Sequence, residues 1–116
     1  MTDRGCLFCR IAAGEIASDT VHRDDLVVAF RDIAPIAPTH ILLIPHRHIA
    51  SAAELTGDDA PLVGRLFVVA AQLARDEGIG ARGFRLVTNV GPDAGQSVGH
   101  LHLHLLGGRK LSWPPG

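Results

Sequence analysis

Tyrosine is absent from this chain, tryptophan and methionine occur once each, and aromatic residues make up 4% of it. A core must therefore be closed by Ala, Val, Leu and Ile, and a hydrophobic content of 47% over 116 residues supplies enough of them for a single domain, 1–116. Excess charge is missing too, since the formal net charge is −1 with histidine neutral. That excludes the broad basic face of a duplex nucleic-acid binder and leaves room for one small anion held locally. No apolar run is long enough to cross a bilayer. The opening Met-Thr-Asp-Arg-Gly-Cys lacks the charged-then-apolar layout of a secretion signal, and two cysteines are too few for a disulfide scaffold. A reducing, cytoplasmic setting is the expectation. Neither the Gly-x4-Gly-Lys-Ser/Thr phosphate loop nor a Gly-x-Ser-x-Gly nucleophile elbow occurs.

What the chain does have is histidine. Three of its seven recur at a period of two in His100-Leu101-His102-Leu103-His104-Leu105-Leu106. In a strand this spacing sends the three imidazoles to one face and Leu101, Leu103 and Leu105 to the other. The leucines then pin the strand to a core while the histidines face a site, because buried imidazole nitrogens need partners.

The remaining pattern reads as α+β with a mainly antiparallel sheet. Phe8, Ile11, Ala12 and Ile16, ahead of and around Gly14, suggest a short N-terminal helix. Residues 26–30 and 41–44 read as buried strands, the second stopped by Pro45, with a proline-stiffened loop between them. One long helix is expected from about Asp58 to Glu77, capped by Thr56, with Leu62, Leu66, Phe67, Ala70 and Leu73 as its apolar stripe and Gly78 as its stop. A further strand at 84–88 leads into the loop from Asn89 to Ser97, and the histidine run follows at once.

Neutral imidazole can attack phosphorus to give a phospho-imidazole that water later resolves. Such a site needs one bare nitrogen aimed at phosphorus, a partner that fixes its tautomer, and donors for the phosphate oxygens. Gly95 permits close backbone approach, Ser97 offers a hydroxyl, and Asn89 offers an amide. An ordinary Gly/Pro/Asp connection is the plainer reading of that loop. Three histidines on a catalytic zinc are the rival chemistry, although i, i+2 and i+4 of one strand make an awkward tetrahedron.

His-x-His-x-His followed by two apolar residues resembles the signature of the histidine-triad (HIT) nucleotide-binding superfamily. The similarity extends over Ala37-Pro38-Thr39-His40, residues 41–45, the loop 89–97, Gly107-Gly108-Arg109 and the ending Trp113-Pro114-Pro115-Gly116. That ending resembles the Hint branch rather than the dinucleoside-polyphosphate hydrolases. The resemblance implies a HIT-like α+β fold, a homodimer, and hydrolysis of purine nucleoside 5′-phosphoramidates through a nucleotidyl-histidine. Dinucleoside polyphosphate hydrolysis, or nucleotide binding with incidental turnover, are the alternatives. It implies that His102 is the nucleophile, that His104 contacts the α-phosphate, and that the backbone of His100 orients the nucleophile. Asn89, Gly95, Gln96 and Ser97 fall where the family binds phosphate or leaving group. Asp32 matches the ribose-binding acid, and Phe8, Ile11, Phe30 and Ile33 match the walls of the base pocket. Asp32 reads equally as a loop cap, and the four apolar residues as core.

Three positions depart from the family pattern. Gly99 stands where many members carry a large side chain, His22 where an apolar or aromatic residue lies near the base, and His46 where a surface lysine is common. In addition, Cys6 and Cys9 form a Cys-x-x-Cys pair able to grip one tetrahedral metal. A redox pair or two free buried thiols are the other readings of it. Bacterial members that begin this way bind a structural zinc, and their other ligands match His48 and His100. The resemblance requires no cofactor for the chemistry. It also implies that helix 58–77 and strand 84–88 pair two subunits, with residues 113–116 reaching the partner's site.

Overall fold

The computed structural model describes residues 5–116. Five strands form one antiparallel sheet in the order β1-β2-β3-β5-β4: β1 Thr20–Arg23, β2 Val27–Arg31, β3 Thr39–Pro45, β4 Phe84–Val87 and β5 Leu103–Gly107. A six-residue helix α1, Leu7–Ala12, precedes the sheet, and α2, Ala60–Asp76, lies in the connection from β3 to β4. The expected α+β architecture, with one long and one short helix, is what the chain adopts. None of the described helices is long and apolar enough to cross a membrane.

Alternation along the central strands divides the interior into two cores. Val27, Ala29, Ile41, Leu43, Leu101, Leu103 and Leu105 face α2, meeting Leu62, Leu66, Val69, Ala70, Leu73 and Ala74. The opposite face carries Val28, Phe30, Leu42 and Ile44, covered by Phe8, Cys9, Ile11 and Ala12 of α1. Each core-facing leucine of the histidine run is at most 4% exposed, and truncating such a side chain costs about 2–5 kcal/mol.

Four expectations need correction. First, β5 begins at Leu103, so the strand does not include His100 and His102. Their backbone groups are claimed elsewhere: Leu101 N–H donates to Ile49 O, His100 O accepts from His102, and His102 O accepts from Thr88 Oγ1. These bonds to groups outside the sheet replace ladder pairing over this stretch. Second, β1 was not expected at all. It is a short polar edge strand, Thr-Val-His-Arg, with no buried residue to give it an apolar signal. Third, α2 starts at Ala60 because a 3-10 turn at Gly57–Asp59 comes first, with Asp59 accepting from Thr56 N–H and Pro61 in the first turn of the helix. Fourth, Phe67 is not in the apolar stripe but half-exposed, as is Val68 beside it, while Val69 and Ala74 are buried instead.

Candidate active site

The run after Ser97 enters the sheet between the two cores, and its three imidazoles part company there. His100 is fully buried and its ring turns toward α1. Its Nε2 lies 2.9 Å from Pro45 O, an acceptor only, so that nitrogen carries the proton. Nδ1 is thereby bare, and it points at Cys6 Sγ (3.3 Å) and Cys9 Sγ (3.5 Å). Cys9 Sγ is also 3.2 Å from His48 Nδ1. Cys6, Cys9, His48 and His100 thus bring one ligand atom each within 4.8 Å of one another. Burial holds His100 below its ordinary pKa, opposed by the Pro45 carbonyl and assisted by His48 and His102.

His102 is 5% exposed and stacks edge-on against Phe8 of α1, centroids 5.2 Å apart. Its Nδ1 sits 2.7 Å from His100 O. A carbonyl accepts only, so the proton is on Nδ1 and Nε2 keeps its lone pair. His104, on β5, packs 5.0 Å from the His102 ring, and its Nδ1 meets His40 Nε2 at 2.9 Å. Burial first, then the nearby His102 and His40 rings, push His104 down to about 4 against a pull from Asp32. His40 is lowered as well, by burial, with Asp32 opposing.

A cavity of about 330 Å³ opens at these rings. Phe8, Ile11, Phe30 and Ile33 line it together with Leu42, and its polar lining includes Asp32, Ser97, His102 and His104 beside Ser18, Asp19 and Arg31. Eight residues singled out in the sequence therefore meet in one cleft, from α1, β2, the β2–β3 loop, the 89–97 loop and the histidine run. Phe8, Ile11 and Phe30 are core as well as wall, being nearly buried, whereas Ile33 is fully exposed at the mouth. Asp32 is both a loop cap, accepting from Ala34 N–H through Oδ1, and a cleft residue.

Asn89 lies elsewhere. It lines a second cavity, about 830 Å³, with Arg85, Arg109 and the C-terminal residues, and only Asp32 and His104 belong to both cavities. Gln96 spends its amide on backbone groups, accepting from Gly91 N–H within the loop and donating to Val98 O and, across to the segment after β3, to Ala50 O. These bonds brace the loop and tie it to Ala50. Gly95 takes the left-handed φ of 77° that closes the turn. His22 is not near the base-side cleft: it bonds Asp24 at 2.7 Å, and Asp24 also accepts from Arg65 and two backbone N–H groups. His46 is half-buried and held by Asp24 O. Gly99 has open space where a Cβ would stand and borders a recess with Cys6, His48 and Ser97. The sequence reading gave no role to His40. Its signal was the imidazole that ends Ala37-Pro38-Thr39-His40, a polar residue at the head of a wholly buried strand.

A histidine anchored through its Nδ1 just ahead of the last strand of an antiparallel sheet, lining an apolar cleft with a second imidazole and a hydroxyl, defines a small-molecule pocket protein. The HIT domain family model matches residues 13–111, and the chain belongs to that family. It is 50% identical to an uncharacterized HIT-like protein of Synechococcus elongatus over 95% of this chain and 96% of that one. Identity to the purine nucleoside phosphoramidase of Escherichia coli K12 is 49%, covering 90% and 88% of the two chains. Among solved structures, a HIT family hydrolase from Legionella pneumophila superimposes with a TM-score of 0.94 at 51% identity, covering 96% and 99%.

Proposed function

We propose that this chain is a hydrolase that cleaves purine nucleoside 5′-phosphoramidates by way of a nucleotidyl-histidine on His102. The observation that carries the reading is the tautomer of His102: Nδ1–H is committed to His100 O, so the bare Nε2 is presented beside a cleft with apolar walls and a carboxylate. The name of the Escherichia coli relative supports the same substrate class. Phe8, Ile11, Phe30 and Ile33 would hold the base and Asp32 the ribose hydroxyls, with Ser97 and His104 on the phosphoryl oxygens. The Nε2 lone pair forms a bond to phosphorus as the P–N bond breaks, and the electron pair departs with the amine, which takes its proton from water. A second water then displaces His102, giving the nucleoside monophosphate and restoring the ring.

Mass spectrometry of protein quenched during turnover of adenosine 5′-phosphoramidate should find an adenylyl group on His102. Turnover of a diadenosine polyphosphate at a higher kcat/KM than the phosphoramidate would shift the assignment to the polyphosphate alternative. Absence of any adduct together with negligible turnover would leave a nucleotide-binding protein.

The Cys6, Cys9, His48 and His100 set fits a structural zinc. Two thiolates and two imidazoles are a tetrahedral S2N2 donor set, and the His100 tautomer leaves Nδ1 free to ligate. No catalytic step passes through it. Its contribution is to hold the His100 backbone, whose carbonyl orients His102. The same reading includes a homodimer, supported by the unpaired outer edge of β4 and the exposed Phe67, Val68 and Phe84. Sedimentation at micromolar concentration tests that assembly, and a monomer there would remove it.

A further inference from the structure

Among the described residues, the cationic side chains that pair with a carboxylate are Arg10, Arg31, Arg47 and Arg65. Arg82, Arg109 and Lys110 do not, and they gather around one recess of about 270 Å³ with Gly78, Ile79, Gly83 and Gly108. No carboxylate among the described residues lines it. Glu77, next to Gly78 in the chain, is spent on both terminal nitrogens of Arg31 and on Thr39 Oγ1. Carbonyls at the end of α2 are spent as well, since Gly78 N–H donates to Arg75 O and Ile79 N–H to Ala74 O. The walls therefore bring positive charge together without a counter-charge.

The frame of the recess is tight. The β4–β5 ladder reaches Phe84 opposite Gly107, which sets the next residues, Gly83 and Gly108, beside each other with no side chain to fill the mouth. Gly107 packs on Ile79, where a Cβ would stand 2.5 Å from Cδ1, and Gly108 lies against Pro38 almost as closely. Gly83 N–H closes the other wall onto Ile79 O. The Arg109 guanidinium is fixed in advance, with Nε and Nη2 donating to Ile36 O and Nη1 to Lys110 O. One N–H on each of its terminal nitrogens is left over. A planar fork already held in place loses little entropy on meeting an oxyanion.

We propose that this recess is an anion site outside the cleft, which binds a phosphoryl dianion through Arg82, Arg109 and Lys110. The dianion is free inorganic phosphate or the phosphate of a phosphomonoester. Guanidinium groups match phosphate oxygens in pairs, and the Lys110 ammonium supplies a movable point charge. A long polyanion fits poorly, because the recess has room for a single group and the chain as a whole carries a net charge of −1. The cleft holds its ligand by apolar walls and imidazoles, whereas the recess does so by charge. Arg109 also lines the larger cavity that reaches His104, and its hold on Ile36 O ties the site to the loop that carries Asp32 and Ile33. Binding here does not rest on the phosphoramidase reading.

Amide spectra of the full chain, labelled with 15N and titrated with inorganic phosphate at fixed pH and low ionic strength, test the site residue by residue. Amides of residues 78–83 and 108–110 are expected to shift saturably, and adenosine should leave that response unchanged. In the double variant Arg82→Gln, Lys110→Gln the affinity should fall at least about tenfold, as loss of charge-assisted hydrogen bonds does. Both side chains are exposed, and an unchanged spectrum elsewhere checks that the variant is folded. If it does not fold, the two single variants decide by the same criterion, each with a loss of about threefold. AMP separates the sources. A second saturable phase at residues 78–83 after the cleft has filled supports phosphomonoesters as ligands, and a cleft phase alone, with inorganic phosphate still saturating the recess, supports the free ion. Drift without saturation overturns the proposal and marks an adventitious ion only. A response confined to the amides of residues 97–104, or equal affinity in the folded double variant, overturns it too.

Discussion

His100 and His104 are the same residue four positions apart on one run, and the structure gives them opposite surroundings. His100 is sealed, with its bare nitrogen turned to two thiols and its backbone carbonyl turned to His102. His104 is half-buried at the junction of two cavities, with its Nδ1 turned to another imidazole. Between them His102 takes its tautomer from the first and has the second as its ring neighbour in the cleft. Identity and spacing therefore do not assign the roles of a histidine row. The acceptor or donor that engages one nitrogen of each ring decides what the other nitrogen can do.

The largest effect that sharpens this contrast is at the middle ring. His102→Ala is expected to lower kcat by at least about a thousandfold, as removal of a covalent nucleophile does, and to leave AMP affinity within about tenfold because binding is spread over the cleft. Near wild-type turnover in that protein would overturn the mechanism. On the His100 side, the double variant Cys6→Ser, Cys9→Ser should lose a metal present at about one zinc per chain in chelator-free wild type. Its Tm should fall by roughly 10 °C, corresponding to a loss of about 2 kcal/mol in a domain of this size. Metal-free wild type whose Tm is unmoved by added zinc would remove the metal and leave His100 a hydrogen-bonded core residue.

On the His104 side the expected effect is smaller and depends on pH. His104 is lowered to about 4 from 6.5, so below 6.5 the unfolded chain binds the proton that the folded one refuses. Stability contributed by neutral His104 is present above pH 6.5 and is lost as pH falls toward 4. His40 and His100 are shifted in the same direction. His104→Asn should flatten, without abolishing, the fall of Tm between pH 6.5 and 4, and an acid limb as steep as wild type would show that His104 does not titrate there. Smallest of all is a control outside both regions. Arg65 bridges α2 to Asp24 at 2.8 Å while partly exposed, and Arg65→Ala should cost about 0.5–1 kcal/mol with kcat/KM unchanged.

The two regions also differ in how they could be read in advance. The apolar alternation of Leu101, Leu103 and Leu105 and the periodicity of α2 are local signals, and they gave the central strands and the long helix. The gathering of Phe8, Phe30, Asp32, Ser97 and the histidines into one cleft came from resemblance, since no local rule places residues 8 and 102 side by side. β1 was invisible because an edge strand with polar residues on both faces has no periodicity to show. The loss of strand at His100 and His102 was hidden as well, because the backbone partners there, Ile49 for Leu101 N–H and Thr88 for His102 O, sit on other segments. His40 went unassigned for the same reason: its partner His104 is 64 residues away.

The six residues of α1 are too few to hold a helix by themselves. On one side they supply Phe8 and Ile11 to the cleft, and on the other they follow Cys6 and include Cys9. Whatever orders the thiol end therefore orders the wall, and an occupant of the wall returns the favour to the thiols. The proposed nucleotide and zinc sites share no ligand atom, yet occupancy of both would be linked through one short segment, and such linkage is reciprocal. At equilibrium with a chelator, nucleotide should raise the affinity for the proposed zinc by the same free energy with which that zinc tightens nucleotide.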